Sequence, residues 1–537
     1  MSSTTDSAET TTKKANQPDY QMPALLEVLP DLTLMDDLLA GTRRMHDQNT
    51  EYIRKWSDED PAVYNIRSKI EQLFEGLSRT LSAAVGMLFA RVPATEWNGS
   101  DGLLEDFWGN VDLAGTDGDV FLKKFTDAAM RDGVALILTD YPKMPRDDKG
   151  NKVEIDSEQE AMLGIRPTLA FYGRGSISNW RTSKINNKLA VTQLTLWEPT
   201  ALDDGDYGVR VVDRYRVLEL VEQTEVEGDP VYYAKWTVLE RRMVNNEKTF
   251  AWIGDGVFLN SKGEAYDRLP IGIAHTGRSD AILTASIPLL GVAWANLAHY
   301  QLSTALRFSL DVSGFPQPTV IGELAKVPGP GGVGMVANKL KIGPMVTVTV
   351  TKGSKDTGPS DFRWTAAPTE GFASLHDFGV AVKKKDIADL GMSFLASDTR
   401  QVETAEAHRL DATAENATLS TGAQGVDDAM NQTWAHVCWF MGIEPSGVPT
   451  TQLNRDFESM AMDPATMAVY VAAVEKAGLP IRLLLEAWQL GGRIPPDVDL
   501  DDLELQMAAV LAAKEEAERE SREAQIATMQ DSGVIEE

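Results

Sequence analysis

Apolar positions along the 537-residue chain fall into blocks of different period, and each block predicts an element. From Met22 to Pro93 the spacing is helical, with Leu25, Leu26, Val28 and Leu29 leading into a charged segment through Arg54 and Trp56. After Pro61, Ile66, Ile70, Leu73, Phe74, Leu77, Leu81, Val85 and Leu88 form one apolar stripe at helical spacing. Asp117 or Asp119 can cap a further helix, Val120–Arg131, which Gly133 ends before a strand-like run from Val134 to Thr139. Between Pro167 and Trp252 short alternating runs of β-branched and aromatic residues take over: Ala190–Trp197, Val209–Leu220 and Val231–Leu239. Turn signals at Asp203–Asp206 and Glu227–Pro230 separate them, and the pattern predicts an antiparallel sheet.

A strand at Ile271–His275 precedes a long helix over about Ile287–Ser309, carrying Leu290, Trp294, Leu297, Leu302 and Leu306. Proline and glycine dominate from Gly314 to Gly334, and alternation at Val346, Val348 and Val350 marks a β module over Lys339–Thr351 that Trp364 closes. A second helix, about Gly371–Leu390, holds Lys383, Lys384 and Lys385 together. A polar loop, Met392–Val402, leads into a long helix, Glu403–Met441, whose stripe includes Leu410, Val426, Met430, Trp434 and Val437 and belongs in a core or an interface. A strand at Gln452–Phe457, helices at Asp463–Ala477 and Ile481–Leu490, and a charged helix from Leu500 complete the plan. The class is α+β, and no period of 20–50 residues repeats.

Length changes the picture first: single cores stop growing at about 250–300 residues, so more than one domain is expected. With 43% hydrophobic and 24% charged residues, most of the chain should fold. The Thr/Ser/Ala-rich start, Met1–Pro18, lacks the apolar core of a secretory signal and reads as a disordered arm. The most hydrophobic stretch, Ile287–Ala298, is broken by Gly291 and Asn296 and falls short of the roughly 20 residues that span a bilayer. The net charge of -29 argues against tight nucleic-acid binding, which needs clustered Lys and Arg on phosphates. It permits DNA as a passing cargo, because an acidic wall lets a polyanion slide.

Catalytic motifs are missing. Gly329, Gly331, Gly332 and Gly334 lack the order of a phosphate loop, and neither a nucleophile elbow nor a zinc-protease helix occurs. The six histidines are scattered, Cys438 is alone, and Glu403, Glu406 and Asp411 have no histidine at metal-ligand spacing. No catalytic, metal or cofactor site is expected.

Several segments in order carry a resemblance. They are Asn110-Val111-Asp112; Gly133–Pro142, ending in Asp-Tyr-Pro; and Arg166-Pro167 through Tyr172 to Asn179-Trp180-Arg181. Asn296-Leu297-Ala298-His299-Tyr300, Thr404-Ala405-Glu406-Ala407 and Leu453-Asn454-Arg455-Asp456-Phe457 follow. Over roughly Leu25–Asp502 the chain resembles portal proteins of tailed phages of the Podovirus and Siphovirus type, a family long catalogued as a domain of unknown function.

The resemblance implies wing, stem, clip and crown regions in a cyclic ring. A disordered arm (1–21) would precede the wing (22–280), and stem helices (281–311 and 371–391) would flank the clip (312–370). A tunnel loop (392–402), a long wing helix (403–449), a crown (450–530) and a disordered tail (531–537) would follow. Lys383, Lys384, Lys385, Asp398 and Arg400 would face the channel, with Met392, Ser393, Phe394, Ser397 and Thr399 in the tunnel loop. Lys326, Lys339, Lys341 and Lys352 would dock partners on the clip.

The implied function is a dodecameric conduit for double-stranded DNA at the virion's portal vertex, assembled in the host cytoplasm. Its partners would be the major capsid protein, the terminase large subunit, and head-tail adaptor or tail proteins, with no membrane. Another ring-forming virion protein, such as a head-tail adaptor, is the main alternative, and the stem–clip–stem order disfavours it. A soluble hydrolase would need a pocket of converging titratable groups, and a DNA-binding regulator would need a basic patch.

Overall fold

The computed structural model describes residues 16–142, 162–185, 187–223, 231–313, 317–321, 326–328, 335–337, 361–365, 370–391, 405–455, 481–490, 494, 498, 500–507, 519, 521 and 523. Two compact units divide the chain, Met1–Arg455 and Asp456–Glu537. In the second, helix Ile481–Leu490 is followed by residues folded back on it: Arg482 pairs with Asp501 at 2.7 Å and Gln489 donates to the Val498 carbonyl at 3.1 Å.

The first unit opens with helices α1 (Leu29–Ala40), α2 (Thr42–Asp47), α3 (Pro61–Arg67), α4 (Gly76–Leu88), α5 (Asp101–Trp108) and α6 (Gly118–Asp132). Of the two candidates Asp117 and Asp119, Asp117 caps α6 by accepting from the Asp119 amide, and Gly133 ends it, as predicted, in the left-handed conformation at φ +79°. The chain then enters β2 (Val134–Asp140), the centre of a three-stranded antiparallel sheet in the order β3-β2-β9, with β3 at Thr168–Gly173 and β9 at Ile271–His275. Val134 to Leu138 are all buried, which is why this strand reads as an unbroken apolar run.

Helix α6 packs on β2 and β3, and a 37-residue helix, Ala405–Met441, packs on β2 and β9. Two glycines permit that second contact. A Cβ on Gly272 would lie 2.2 Å from the Ala429 carbonyl oxygen, and one on Gly425 would lie 2.0 Å from that of His275. Helix and strand therefore approach more closely than side chains allow. Trp434 on the long helix is fully buried among Trp97, Phe107 and Trp108, and its indole N–H donates to Thr451 Oγ1 at 2.8 Å.

The predicted antiparallel sheet is present and larger than the pattern indicates. Its order is β4-β5-β6-β7-β8, over Ile177–Ile185, Lys188–Asp204, Gly208–Gln223, Val231–Val244 and Glu247–Val257. Leu194, Leu196, Leu218 and Ala234 from this sheet share one core with Val134, Leu136 and Leu138 of β2 and with Phe440 of the long helix. That core joins only the near half of the sheet. Beyond Arg214↔Glu240 strand β6 no longer pairs with β7, and past an Arg241–Asp213 ion pair the sheet forks into two ribbons, β5–β6 and β7–β8.

Three elements depart from the sequence reading. The single stripe from Ile66 to Leu88 is divided, because α3 stops at Arg67 and α4 begins at Gly76. Buried Arg67 pairs with Glu59 at 2.7 Å and stacks over Trp56 at 4.2 Å, anchoring α3 to its own loop and leaving Ile66 exposed. The strand expected at Gln452–Phe457 lies earlier, at Thr450–Gln452, and pairs with Ala94–Glu96, a three-residue strand too short to show a period. Asp427 accepts from the Leu453 amide at 2.8 Å and so takes the chain out of that ladder. The third is a π-helical turn, His376–Val380, inside the second predicted helix.

Candidate functional site

The strongest assembly of predicted features is the helix pair and its insert. Helix α7 (Leu290–Ser313) packs along α8 (Glu370–Leu375), the π-turn and α9 (Ala381–Leu390). Between the two arms β12 (Gln317–Ile321) pairs antiparallel with β15 (Asp361–Thr365), from Gln317↔Thr365 to Ile321↔Asp361. The insert therefore leaves and re-enters at one point, beyond the end of the pair. Inside it β13 (Lys326–Pro328) pairs with β14 (Met335–Ala337). Trp294, Leu310, Phe378 and Val382 on the helices are exposed, and Phe378 keeps 83% of its surface.

At the other end the pair is locked to α4. Asn296 is buried and its Oδ1 accepts from the Leu77 amide at 3.2 Å, while a Cβ on Gly76 would meet Ile387 of α9 at 2.6 Å. His299 is buried against Phe74, with ring centroids 5.2 Å apart, and burial together with the Lys384 charge lowers its pKa. The Asn296–Tyr300 motif is thus packed inside the chain. Leu453-Asn454-Arg455 acts similarly: Asn454 Nδ2 donates to the Met87 carbonyl at 3.0 Å, and Arg455 pairs with buried Asp427 at 2.7 Å. These motif residues join elements that are far apart in sequence.

The lysine run is divided between tasks. Lys383 pairs with Asp386 at 2.7 Å, Lys384 sits 5.5 Å from the centre of the Phe74 ring, and Lys385 is exposed. Lys326 opens β13, opposite Ala337. Met392, Ser393, Phe394, Ser397, Asp398, Thr399 and Arg400 lie outside the described residues, as do Lys339, Lys341 and Lys352.

Two polar networks have no local signature in the sequence. Arg216 lies between Asp140 and Glu198, at 2.6 and 2.8 Å, and the Tyr172 hydroxyl donates to Glu198 at 2.5 Å. Burial and the flanking carboxylates raise the Tyr172 pKa. The second is at His436, whose Nδ1 accepts from the Tyr266 hydroxyl at 2.6 Å while Nε2–H donates to the Ile271 carbonyl at 3.2 Å. Burial disfavours the charged ring and lowers its pKa to about 4, so the neutral form accepts at Nδ1 and donates at Nε2. Neither network opens a nucleophile towards a substrate. Cys438 is buried, which pushes its thiol up to about 11, so it stays protonated and unreactive. Among the described residues no His, Cys, Asp and Glu cluster fits a metal ion, and no helix is long and apolar enough to cross a membrane.

Residues 288–441, from just before α7 to the end of the long helix, match a family described as a domain of unknown function, DUF4055. No curated protein matches the chain. Among solved structures it is similar to a chain of the neck of the empty GTA particle with C6 symmetry. That match has 11% identity and a TM-score of 0.33, over 79% of this chain and 90% of that one. A chain of the virion of the native gene transfer agent (GTA) particle gives 11%, 0.34, 76% and 89%. One from the neck of the native GTA particle with C12 symmetry gives 10%, 0.33, 75% and 85%. At these identities and scores the likenesses assign no function.

Proposed function

We propose that this chain is a virion structural protein of a tailed phage, and specifically the portal subunit, which forms a ring around passing DNA. The observation that carries the reading is the paired helices α7 and α8–α9 closed at one end by β12 and β15. A module held on such a stalk projects from the body, where a packaging motor and later head-tail connector proteins can dock in turn. Exposed Trp294, Leu310 and Phe378 give the stalk apolar sides, and in a ring each copy would cover part of its neighbour's. The charge of -29, repeated around an axis, makes a conduit that few phosphates would adhere to. The channel role of Lys385, the tunnel loop and the docking lysines belong to this proposal, as do the twelve-fold number and the capsid and terminase partners.

Negative-stain electron microscopy of the purified chain at moderate salt is the test. Rings with a central channel of duplex width are expected. A field that stays monomeric at high concentration would overturn the reading.

A further inference from the structure

Among the described residues no strand pairs with the β5–β6 ribbon beyond the fork. Asp213 is still ion-paired to Arg241 of β7, and past it five residue pairs, from Thr200↔Val212 to Asp204↔Gly208, have no third strand hydrogen-bonded beside them among the described residues. An isolated two-stranded ribbon is marginal in water, and three strands or a packed face are normally needed. One face of this ribbon presents Ala201, Val209 and Val211 to solvent, with Asp203 opposite Val209 and the two valines 67% and 66% exposed. Tyr207, in the turn, is 100% exposed. Such a row is the mark of a surface that meets another.

The opposite end of the same sheet carries a groove of about 930 Å3, between the β4–β5 turn, β9 and the long helix. Ile185, Leu189, Val191, Leu220, Ile273 and Ile282 give it apolar walls. Leu189 is 57% exposed there. Along β5 the distance from Leu189 to Asp204 is about 50 Å at roughly 3.3 Å per residue. A chain therefore cannot place its own ribbon tip in its own groove.

We propose that the β5–β6 tip of one copy docks in this groove of a second copy, with Tyr207 and Val209 against the apolar walls. The inference rests on the ring reading and specifies its contact. A tip on one copy and a groove on the next form a heterologous interface, the kind that closes into a ring. Charge is consistent with the pairing: Asp203, Asp204 and Asp206 surround the tip, and Lys188 lines the β4–β5 side of the groove. Across it, Asp428 of the long helix can meet Arg210 of the ribbon, while Asp267 and Arg268 already pair with each other at 2.9 Å.

The test is cross-linking of the full chain carrying Tyr207→Cys and Leu189→Cys with a short bismaleimide. The native Cys438 is buried and should not react. A ladder of dimers, trimers and higher species is expected from the double variant only. Dimers from Tyr207→Cys alone would indicate tip-to-tip contact and overturn the proposal. Rings by microscopy without a ladder would overturn this interface and leave the portal reading intact, whereas neither rings nor ladder would overturn both. Because the tip is exposed, Tyr207→Ser with Val209→Ser should leave the melting temperature unchanged. It should raise the concentration at which rings form by roughly tenfold or more, the equivalent of about 1.4 kcal/mol; no change in that concentration would count against the contact.

Discussion

His436 shows how one side chain can set a pH limit on the fold. In the unfolded chain its imidazole takes a proton below about pH 6.5, but in the folded chain the pKa is about 4. The folded state therefore binds fewer protons across that window, and stability present above pH 6.5 is lost as the pH falls towards 4. The loss attributable to this residue should reach roughly 3 kcal/mol. His275 and His299, also lowered by burial, add a loss of the same sign. Urea midpoints between pH 7 and pH 4.5 check this, and His436→Asn should flatten the profile. An unchanged slope in that variant would place the dependence elsewhere. The same scale explains why the histidines gave no chemistry from the sequence. Their neighbours, such as Tyr266 for His436, are 170 residues away in the chain.

At the scale of elements, the decisive contact is the long helix crossing β9. Its 37 residues give it length, yet the crossing depends on Gly272 and Gly425, where backbone meets backbone. Gly425→Ala would put a Cβ against the His275 carbonyl, which cannot retreat without shifting β9 from β2. A loss of about 1–3 kcal/mol is expected from such overpacking, read as a lower denaturant midpoint, and an unchanged midpoint would mean that the helix can lift freely. Trp434 illustrates the other side of the element. Its place on the stripe allowed a core or an interface, and the structure puts it in the chain's own core among Trp97, Phe107 and Trp108. Those partners come from short segments before and within α5 that carry little periodicity. The stripe showed that the helix packs, while its partner could not be read from spacing.

For the whole molecule, charge sets the terms of assembly. A chain of net charge -29 brought into a ring of like copies is opposed by its own field. The ring we propose should therefore strengthen as ionic strength rises towards about 0.15 M, where the screening length falls to about 8 Å. Mass photometry at fixed protein concentration would follow the ring fraction. A fraction that falls with salt would mean that opposite-charge contacts, such as those between the ribbon aspartates and Lys188, outweigh the general repulsion.

Much of the local architecture was determined by the sequence alone. A cap at Asp117 or Asp119, the stop at Gly133, the buried strand Val134–Asp140, the antiparallel sheet and the helix–insert–helix order all follow from periodicity and turn chemistry among near neighbours, and the structure chose Asp117. The division of the Ile66–Leu88 stripe did not, because it depends on Arg67 finding Glu59 and Trp56 in a folded loop. Strand pairing between Ala94–Glu96 and Thr450–Gln452 did not either, since a ladder across some 350 residues leaves no local trace. The fork in the large sheet belongs to the tertiary structure as well. The sequence of β5 and β6 past Asp213 does not mark it, and only the end of the β6–β7 register shows where the strands lose their hydrogen-bonded neighbour.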